Sequence, residues 1–437
     1  MLRHQRLIIN SLKLLDLIKS SYFLEDISTI FEFLQQQETF NFPELETGLF
    51  SAAILKKEIE STGYDKVWIR DNIHIAHALY VRGETDVAIR NVTSLMDYFK
   101  KFQSRFERVI EAEVDSGQAM ERPHIRFDGI NLAELDQQWG HSQNDALGYF
   151  LWFYCKLANE GYLKLQPEDL EILALFPFYF QAIRYWDDED NGHWEEEPKV
   201  EASSIGVVIA GLKELKQLLL KENILVPACQ YQDIPVRIQF LNKLIAQGTI
   251  VLNHILPAEC IQPETKKRRY DAALLFLIYP LQVIDDEIGE QILRDVINNL
   301  QGDYGIKRYL GDSYWCADYR QKLPAESRTT DFSQDMGSRD SLLKKGEEAQ
   351  WCLFDPIISI IFGLKFQKTR QEKYRQEQIY YLNRSLGQLT GEDCPLGEFK
   401  CPELYYLENS RYLPNPNTPL LWTQANLSIA LKMMEYN

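Results

Sequence analysis

The chain has 437 residues, of which 45% are hydrophobic and 25% charged, a composition typical of a globular protein with a large core. Its 64 acidic residues against 47 basic ones give a formal net charge of -17, which disfavours binding to nucleic-acid phosphates. The seven cysteines are odd in number and form no CxxC pair, so we expect neither a disulfide framework nor a structural zinc, and a cytoplasmic protein fits best.

The first predicted element is an amphipathic helix within an amino-terminal helical region, residues 1–44. Five apolar residues recur there at helical spacing: Leu7, Ile8, Leu12, Leu15 and Ile18. Polar residues such as Asn10 and Asp16 interrupt the apolar run, and no small-residue cleavage site follows, which argues against a signal peptide. No run of about 18 apolar residues occurs anywhere, so we expect no membrane span.

The remaining apolar periodicity is helical almost throughout, and it is of two kinds. The segment 205–223 carries one apolar stripe and is expected to keep its other side in water. The segments 144–159 and 271–281 are apolar all round and must be covered on every side. An inner ring of buried helices inside an outer ring of amphipathic ones meets both needs. We therefore predict one all-α domain over 1–437, without a large sheet.

Two polar stretches interrupt this pattern. The basic cluster 266–269 (KKRR) is short, and we interpret it as the solvated start of a helix. The longest polar stretch is 322–348, whose low apolar content gives little to order it, so we predict a long mobile loop.

Five short stretches place charged side chains beside aromatic ones. They are VWIRDN (67–72), QWGHSQND (138–145), GHWEEE (192–197), KRYLGDSY (307–314) and PELYYL (402–407). Taken singly, each is explained by a packed tryptophan beside an ion pair. Together they are typical of a sugar site, where aromatic faces cover a pyranose ring while carboxylates and guanidinium groups bond its hydroxyls.

These motifs resemble glycoside hydrolase family 15, the glucoamylases, and the related amino-terminal domain of the phosphorylase kinase α and β subunits. WIRD is similar to the WTRD motif, WGHSQND to WGRPQRD, RYLGDSY to RYPEDxY, HWEEE to the LWEE stretch and PELYY to the SEQY stretch. The phosphorylase kinase domain is closer in wording, with WGHxQxD, PELYY and a final LWxQ. The resemblance runs from about residue 45 to 430, and it implies an (α/α)6 barrel with its active site in loops at one end.

The resemblance also implies roles for individual residues. Glu195 would be the general acid and Glu403 the general base, with Glu196 and Glu408 as the alternatives that the sequence leaves open. The implied substrate-binding residues are Trp68, Arg70, Asp71, Trp139, Gln143, Asp145, Trp194, Glu196, Arg308 and Asp312. Two carboxyl groups and water suffice for this chemistry, so no metal and no organic cofactor are expected.

The function expected from the resemblance is hydrolysis of an α-glucan or a small α-glucoside by an inverting, exo-acting α-glucosidase. The alternative is a non-catalytic, glucan-binding regulatory protein of the phosphorylase kinase subunit type. The sequence implies no nucleic-acid or membrane partner and leaves the oligomeric state open. Under either reading, the loop 322–348 is expected to lie over the mouth of the site.

Overall fold

The computed structural model describes residues 7–54, 63–221, 228–263 and 266–436. Within them the helices are α1 (Leu24–Gln36), α2 (Ile69–Val81), α3 (Thr85–Lys101), α4 (Ser104–Ile110), α5 (Asn144–Asn159), α6 (Pro167–Ala182), α7 (Ala202–Lys221), α8 (Ile238–Ile255), α9 (Leu275–Ile278), α10 (Asp286–Asn299), α11 (Tyr319–Lys322), α12 (Met336–Asp340), α13 (Phe354–Thr369), α14 (Glu372–Gly387) and α15 (Leu421–Met434). The strands are β1 (Val67–Trp68), β2 (Arg126–Asp128), β3 (Ala133–Glu134), β4 (Gln230–Tyr231), β5 (Ile234–Pro235), β6 (Gln350–Trp351), β7 (Leu404–Glu408) and β8 (Arg411–Pro414).

Six helices form a closed inner ring in the order α2, α5, α7, α9, α13 and α15, and α15 returns to pack against α2. The helices α3, α8, α10, α14 and α1 pack outside α2, α7, α9, α13 and α15 respectively, and α6 lies outside α5. This arrangement of two concentric rings is an (α/α)6 barrel, and it confirms the predicted fold class.

The inner helices approach one another closely where glycines face a neighbour. A Cβ atom on Gly148 of α5 would lie 2.9 Å from the backbone of Val207 in α7, and one on Gly211 would lie 2.8 Å from the Gly148 oxygen. Consequently α7 is buried on all sides from Ala202 to Leu212 and becomes amphipathic only in its second half. The prediction that this segment keeps one side in water throughout was wrong, because its first three turns lie inside the ring.

The apolar stretch 271–281 forms a much shorter helix than its composition suggested. Asp271 accepts a hydrogen bond from the Ala273 N–H at 2.8 Å, which begins a single 3-10 turn that continues into α9. The helix ends at Ile278, shortly before Pro280, which has no N–H to continue the helical hydrogen bonds.

The amino-terminal amphipathic helix is absent from the described residues 7–18, where the only helical element is the 3-10 turn Leu12–Leu14. The segment instead runs along the end of α14, and Asn10 donates its backbone N–H to the Gly387 oxygen at 3.1 Å. A Cβ atom on Gly387 would lie 2.1 Å from the Ile8 oxygen, so the two backbones meet directly. Periodicity predicted a helix because it records apolar spacing and not the backbone contacts that hold residues 8–10 against the end of α14.

Small sheets and single bridges replace a large sheet in the described residues. β1, β2 and β3 form one antiparallel sheet, β6, β7 and β8 form another, and β4 pairs with β5. The pairing of Trp351 with Leu404 brings β6 beside Glu403. None of the described helices is long and apolar enough to cross a membrane.

The basic cluster 266–269 is not the start of a helix. Arg268 forms an antiparallel bridge with Cys260, and its guanidinium group points inward to Glu196 and Asp271. The prediction of a solvated helix start was therefore wrong, because the buried carboxylates attract this arginine away from solvent.

Candidate active site

One pocket collects most of the residues that the motifs singled out. The loops that precede α2, α5, α7, α13 and α15 all reach it, together with the segment before α12. It encloses about 750 Å3, counting the part open to solvent. Its lining residues are Ala52, Tyr64, Trp68, Arg70, Asp71, Trp139, His193, Trp194, Glu195, Arg308, Tyr314, Thr329, Thr330, Asp331, Phe332, Arg339, Trp351, Glu403, Leu420 and Trp422. Its lining mixes aromatic side chains with a few polar and charged ones, as sites for small ligands do.

Glu195 lies in the loop before α7 and presents its carboxyl group to the pocket. Its backbone has a φ of 58°, in the left-handed region that a glutamate rarely adopts and that costs on the order of 1 kcal/mol. Trp68 Nε1 donates to Glu195 Oε1 at 2.8 Å, and Arg70 donates to the same oxygen at 3.1 Å. Burial raises the pKa of Glu195 above its usual value, against the opposing effect of the Arg70 and Arg126 charges.

Glu403 lies immediately before β7, far from Glu195 in the sequence, and reaches the same pocket. Tyr64 donates its hydroxyl to Oε1 at 2.7 Å, while the side-chain amides of Asn415 and Asn417 donate to Oε2. Burial raises the pKa of Glu403, and these three neutral donors oppose that rise because they stabilise the ionised carboxylate. A third carboxyl group, Asp71, lines the pocket with them.

The pKa of Asp71 is raised to about 7, mainly by burial and further by the negative charges of Glu195 and Glu403, although Arg70 acts in the opposite direction. Asp71 lines the same pocket as Glu195 and Glu403, and both glutamates raise its pKa. At neutral pH such a group of acids holds a proton that isolated, solvated carboxyl groups would have released.

Glu196 follows Glu195 directly but lies in the wall behind the pocket. Its carboxylate accepts hydrogen bonds from Arg268 at 2.9 Å, Arg308 at 3.2 Å and Arg339 at 2.7 Å. Tyr309 adds its hydroxyl at 2.7 Å. Burial alone would raise the pKa of Glu196, but the three guanidinium charges bring it far below the usual range.

Four residues that the resemblance placed on the substrate do not line the pocket. Gln143 and Asp145 hold Arg70, whose Nη1 donates to them at 3.0 and 2.7 Å. Asp312 holds Arg308 through two hydrogen bonds of 2.7 and 2.6 Å. The fourth residue is Glu196. Each of these four residues is buried and holds an arginine of the site in place, and their direct contact with a substrate stays a prediction.

The other residues implied by the resemblance lie in the lining. They are Trp68, Arg70, Asp71, Trp139, Trp194 and Arg308, with the two glutamates Glu195 and Glu403. Glu408, the alternative base, lies at the far end of β7, where it pairs with Arg411 in the hairpin, and it is not part of the lining.

Aromatic rings stabilise the two sides of the pocket. Trp68 and Trp139 meet edge to face with their centroids 6.0 Å apart, and the guanidinium of Arg126 lies 4.9 and 4.2 Å from them. On the other side, the guanidinium of Arg308 lies 5.1 Å from Trp194 and 4.8 Å from Trp351. Such cation–π contacts keep the rings in place around the ligand space.

The long polar stretch 322–348 borders the pocket through the residues 329–332 and Arg339, and its position over the mouth stays a prediction. It contains the short helix α12, from which Arg339 reaches Glu196. Ser313 also accepts a hydrogen bond from Arg339 Nε at 3.0 Å. The stretch is therefore fastened to the wall of the site, and its mobility stays a prediction.

Sequence reasoning missed several lining residues. Tyr64 precedes the first motif by three positions, and Trp351 and Arg339 lie outside all five motifs. For Tyr64 and Trp351, an aromatic residue near a motif or a short strand is too common a pattern to single out. Asn415 and Asn417 offered a weak signal in the polar stretch NPN, twelve and fourteen residues after Glu403.

The family comparison agrees with this geometry. The profile of the glycosyl hydrolases family 15 matches residues 35–281. The chain belongs to this family. A probable phosphorylase b kinase regulatory subunit alpha of Caenorhabditis elegans is 28% identical over 388 residues, covering 82% of this chain and 30% of that protein. The liver isoform of the same subunit from Mus musculus is 25% identical over 430 residues, covering 90% of this chain and 32% of that protein.

The chain thus spans about a third of the length of these curated relatives. Among solved structures, a glycosidase variant in complex with glucose superposes with a TM-score of 0.63 and 15% identity, covering 95% of this chain and 100% of that chain. A glucoamylase from Saccharomycopsis fibuligera superposes with a TM-score of 0.56 and 12% identity, covering 95% and 96%. At these identities the superpositions establish the shared fold.

Proposed function

We propose that the chain is an inverting, exo-acting α-glucosidase of the glucoamylase type. The observation that carries this proposal is the arrival of Glu195 and Glu403, from distant parts of the sequence, in the lining of one pocket. Inverting glycosidases need such a pair, one carboxyl group to protonate the departing oxygen and one to activate water on the opposite face of the sugar.

In this proposal Glu195 is the general acid. Burial raises its pKa, as it raises that of Glu403, so the assignment as the acid rests on the HWEEE motif and on the position of its carboxyl group in the pocket. Glu196 is unsuited to the role, because three arginines keep it ionised and remove it from the pocket. Its proposed part is to orient Arg308 and Arg339.

Glu403 is the proposed general base. The hydroxyl of Tyr64 and the amides of Asn415 and Asn417 stabilise the ionised form that can accept a proton from water. Glu408 lies outside the lining.

We propose that the sugar at the reacting position stacks against Trp68 or Trp139 and is held by Arg70, Asp71 and Arg308. Aromatic faces cover the apolar faces of a pyranose, and forked guanidinium groups bond vicinal hydroxyls. Because residues 329–332 border the same space, the pocket favours the end of a glucan or a short α-glucoside over the middle of a long chain.

A second candidate function has an observation in its favour. The curated relatives are regulatory subunits of phosphorylase b kinase, so this chain is similar to proteins whose names describe regulation. In that case the pocket would bind a glucan without hydrolysing it. Both candidates use the same lining, and they differ in turnover.

The two candidates are separated by proton NMR of the purified chain with maltose, longer α-glucans and trehalose. We expect β-glucose as the first-formed sugar. An α-product would overturn the inverting assignment. Saturable glucan binding without release of any sugar would instead support the regulatory candidate. The expected cytoplasmic location and the single domain over 1–437 stay predictions, which fractionation and limited proteolysis of the native protein would test.

A further inference from the structure

Asp271 is a buried carboxylate behind the wall of the catalytic pocket. It begins the 3-10 turn that continues into α9, and its side chain is fully shielded from solvent. It is not among the residues that line the pocket, and none of the five stretches of mixed aromatic and charged residues contains it. Burying a carboxylate is unfavourable unless donors surround it, so the donors around Asp271 indicate what it does there.

The indole of Trp194 is the donor that links Asp271 to the pocket. Nε1 of Trp194 lies 3.0 Å from Oδ1 and 3.1 Å from Oδ2 of Asp271, so the indole N–H donates between the two oxygens. The Ala273 N–H donates to Oδ1 at 2.8 Å, and Nη1 of Arg268 donates to Oδ2 at 3.2 Å. The carboxylate is thus held from two other sides, and it offers the indole an acceptor in a fixed position.

Trp194 connects this carboxylate to the ligand space, because it lines the pocket and directly precedes Glu195. Its ring centroid lies 5.1 Å from the guanidinium of Arg308 and 6.0 Å from the ring of Trp351, and both of these residues also line the pocket. An indole N–H can only donate, and a buried donor without an acceptor is unfavourable. The ring is therefore expected to keep the orientation in which Asp271 accepts its N–H.

The backbone around Asp271 reaches the same wall. Asp271 forms an antiparallel bridge with Tyr309, and the Ala272 N–H donates to the Arg308 oxygen at 2.8 Å. The segment is thus fixed to the backbone of Arg308, while the Asp271 side chain is fixed to the ring of Trp194. Asp271 therefore joins two parts of the wall that are far apart in the sequence.

We propose that Asp271 is a positioning residue that fixes the Trp194 indole in the wall of the pocket. Through this ring it orients the Arg308 guanidinium, and through the following peptide it sets the place of the Glu195 carboxyl group. Its effect on turnover rests on the proposed hydrolase function, whereas its effect on glucoside affinity applies to a glucan-binding protein as well. A chain that binds glucosides without turnover would overturn the hydrolase, and affinity alone would then decide the role of Asp271.

The test is a double-mutant cycle between Asp271→Ala and Trp194→Phe in the full chain. Each variant is titrated calorimetrically with methyl 4-thio-α-maltoside, whose sulfur link resists hydrolysis. Asp271→Ala should weaken binding at least about fivefold, but less than about twofold when Trp194→Phe has already removed the indole N–H. Equal weakening in both backgrounds, or unchanged affinity in Asp271→Ala, overturns the proposal.

The same titration separates positioning from stability. A smaller folded fraction lowers the number of binding sites per chain and leaves the dissociation constant of the folded molecules unchanged. Where maltose is turned over, kcat of Asp271→Ala should also fall by roughly tenfold or more, since a small displacement of a reacting group can cost about 10²-fold. A fall in kcat that Trp194→Phe does not diminish would contradict an action through the indole.

Asp271→Asn is the conservative variant, and it decides the question even if Asp271→Ala does not fold. Its remaining oxygen can accept from both the Ala273 N–H and the indole, so affinity should stay within about threefold of the unmodified chain. A loss of more than about fivefold would assign the effect to the negative charge beside Arg268 and overturn the proposal. The matched control is Asp295→Asn on α10, which removes a carboxylate that accepts from Arg269 at 3.0 Å outside the catalytic pocket. Its affinity should equal that of the unmodified chain.

Discussion

Glu195 and Glu196 are adjacent in the sequence, yet they lie on opposite sides of the wall of the site. Glu195 reaches the pocket, where burial raises its pKa. Glu196 turns into the wall, where Arg268, Arg308 and Arg339 hold its pKa far below the usual range. Three consecutive glutamates in HWEEE therefore do not form one acidic surface, and the immediate partners of each carboxyl group determine its protonation.

This difference follows from the backbone as much as from the side chains. The left-handed conformation of Glu195, with a φ of 58°, interrupts any regular alternation along the loop. The backbone N–H of Glu196 donates to the Asn191 oxygen at 3.1 Å, and this hydrogen bond fixes the inward direction of Glu196 itself. The run of three glutamates suggests that Glu196 faces solvent, yet in the described wall its carboxylate is paired with three arginines.

The largest expected effect is the loss of turnover on neutralising the pocket-facing carboxyl groups. Glu195→Gln and Glu403→Gln keep the size of the side chain but remove its proton transfer, which typically contributes about 10²–10⁴-fold. Each variant should lose at least that order in kcat on an α-glucoside and retain substrate binding. Steady-state kinetics and a titration with substrate check the two parts separately.

The matched control for this pair is Glu197→Gln, because Glu197 belongs to the same run of three glutamates but does not line the catalytic pocket. It should keep the turnover of the unmodified chain. Equal losses in Glu197→Gln and Glu195→Gln would show that the loop, and not a particular carboxyl group, limits the rate.

A second prediction concerns the wall. Glu196→Gln removes the carboxylate that Arg268, Arg308 and Arg339 share, although Asp271 and Asp312 stay with the first two. Removing one member of a buried ion pair costs about 3–5 kcal/mol. The free energy of unfolding in urea at pH 7 should fall by roughly that amount. Because the pKa of Glu196 is lowered, its contribution is complete above the ordinary pKa of 4.5 and is lost as the pH falls through the folded pKa.

Glu197→Gln again serves as the comparison, with an expected change in the free energy of unfolding within about 0.5 kcal/mol. The stability difference between Glu196→Gln and the unmodified chain should also narrow in strong acid, as Glu196 becomes protonated in both states. An unaltered unfolding free energy in Glu196→Gln would contradict a carboxylate held by three arginines.

How far the sequence predicted the structure can be judged at particular residues. The start of the inner helix α2 holds Trp68, Arg70 and Asp71 within four consecutive positions. Their arrangement is therefore local, and the sequence motif predicted that they lie together. Arg339 and residues 329–332 reach the pocket from a long connection whose course depends on tertiary packing. The path of this connection cannot be predicted from the spacing of nearby residues, so these residues were missed.

The motifs also did not distinguish residues that line the pocket from residues that hold a lining residue in place. Asp145 and Asp312 belong to the same motifs as Trp139 and Arg308, and composition alone does not separate a residue that contacts a ligand from one that orients its neighbour. The amino-terminal segment shows the same limit, because its apolar spacing predicted a helix while Ile8 and Asn10 meet the backbone of Gly387 directly.

A third prediction tests whether the arginines on the two sides of the pocket act alike. Arg70→Ala and Arg308→Ala each remove a guanidinium that lines the pocket, and a hydrogen bond to a charged group contributes about 1.5–3 kcal/mol. Each variant should lose that much glucoside affinity in a calorimetric titration. Both variants should in addition be less stable, since Asp145 and Glu195 lose a partner in Arg70→Ala, and Glu196 and Asp312 lose one in Arg308→Ala. Unchanged affinity in both variants would show that the sugar lies elsewhere.

The smallest expected effect is a shift in the pH dependence of kcat/KM, which distinguishes the two proposed catalytic carboxyl groups. With Glu403 ionised and Glu195 protonated in the active form, kcat/KM should fall in acid as Glu403 gains a proton and fall in base as Glu195 loses one. Tyr64 donates a hydrogen bond to Glu403 and lowers its pKa. Tyr64→Phe should therefore raise the pKa of Glu403 and move the acidic limb to higher pH.

The basic limb should stay in place, because Tyr64 donates to Glu403 and not to Glu195. A loss of packing would lower kcat/KM at every pH without moving either limb, so the position of the limb separates an electrostatic role from a structural one. Tyr80→Phe is the matched control, since it removes a tyrosine hydroxyl that donates to Glu160 at the surface. A shift of the basic limb alone in Tyr64→Phe would exchange the assigned roles of Glu195 and Glu403.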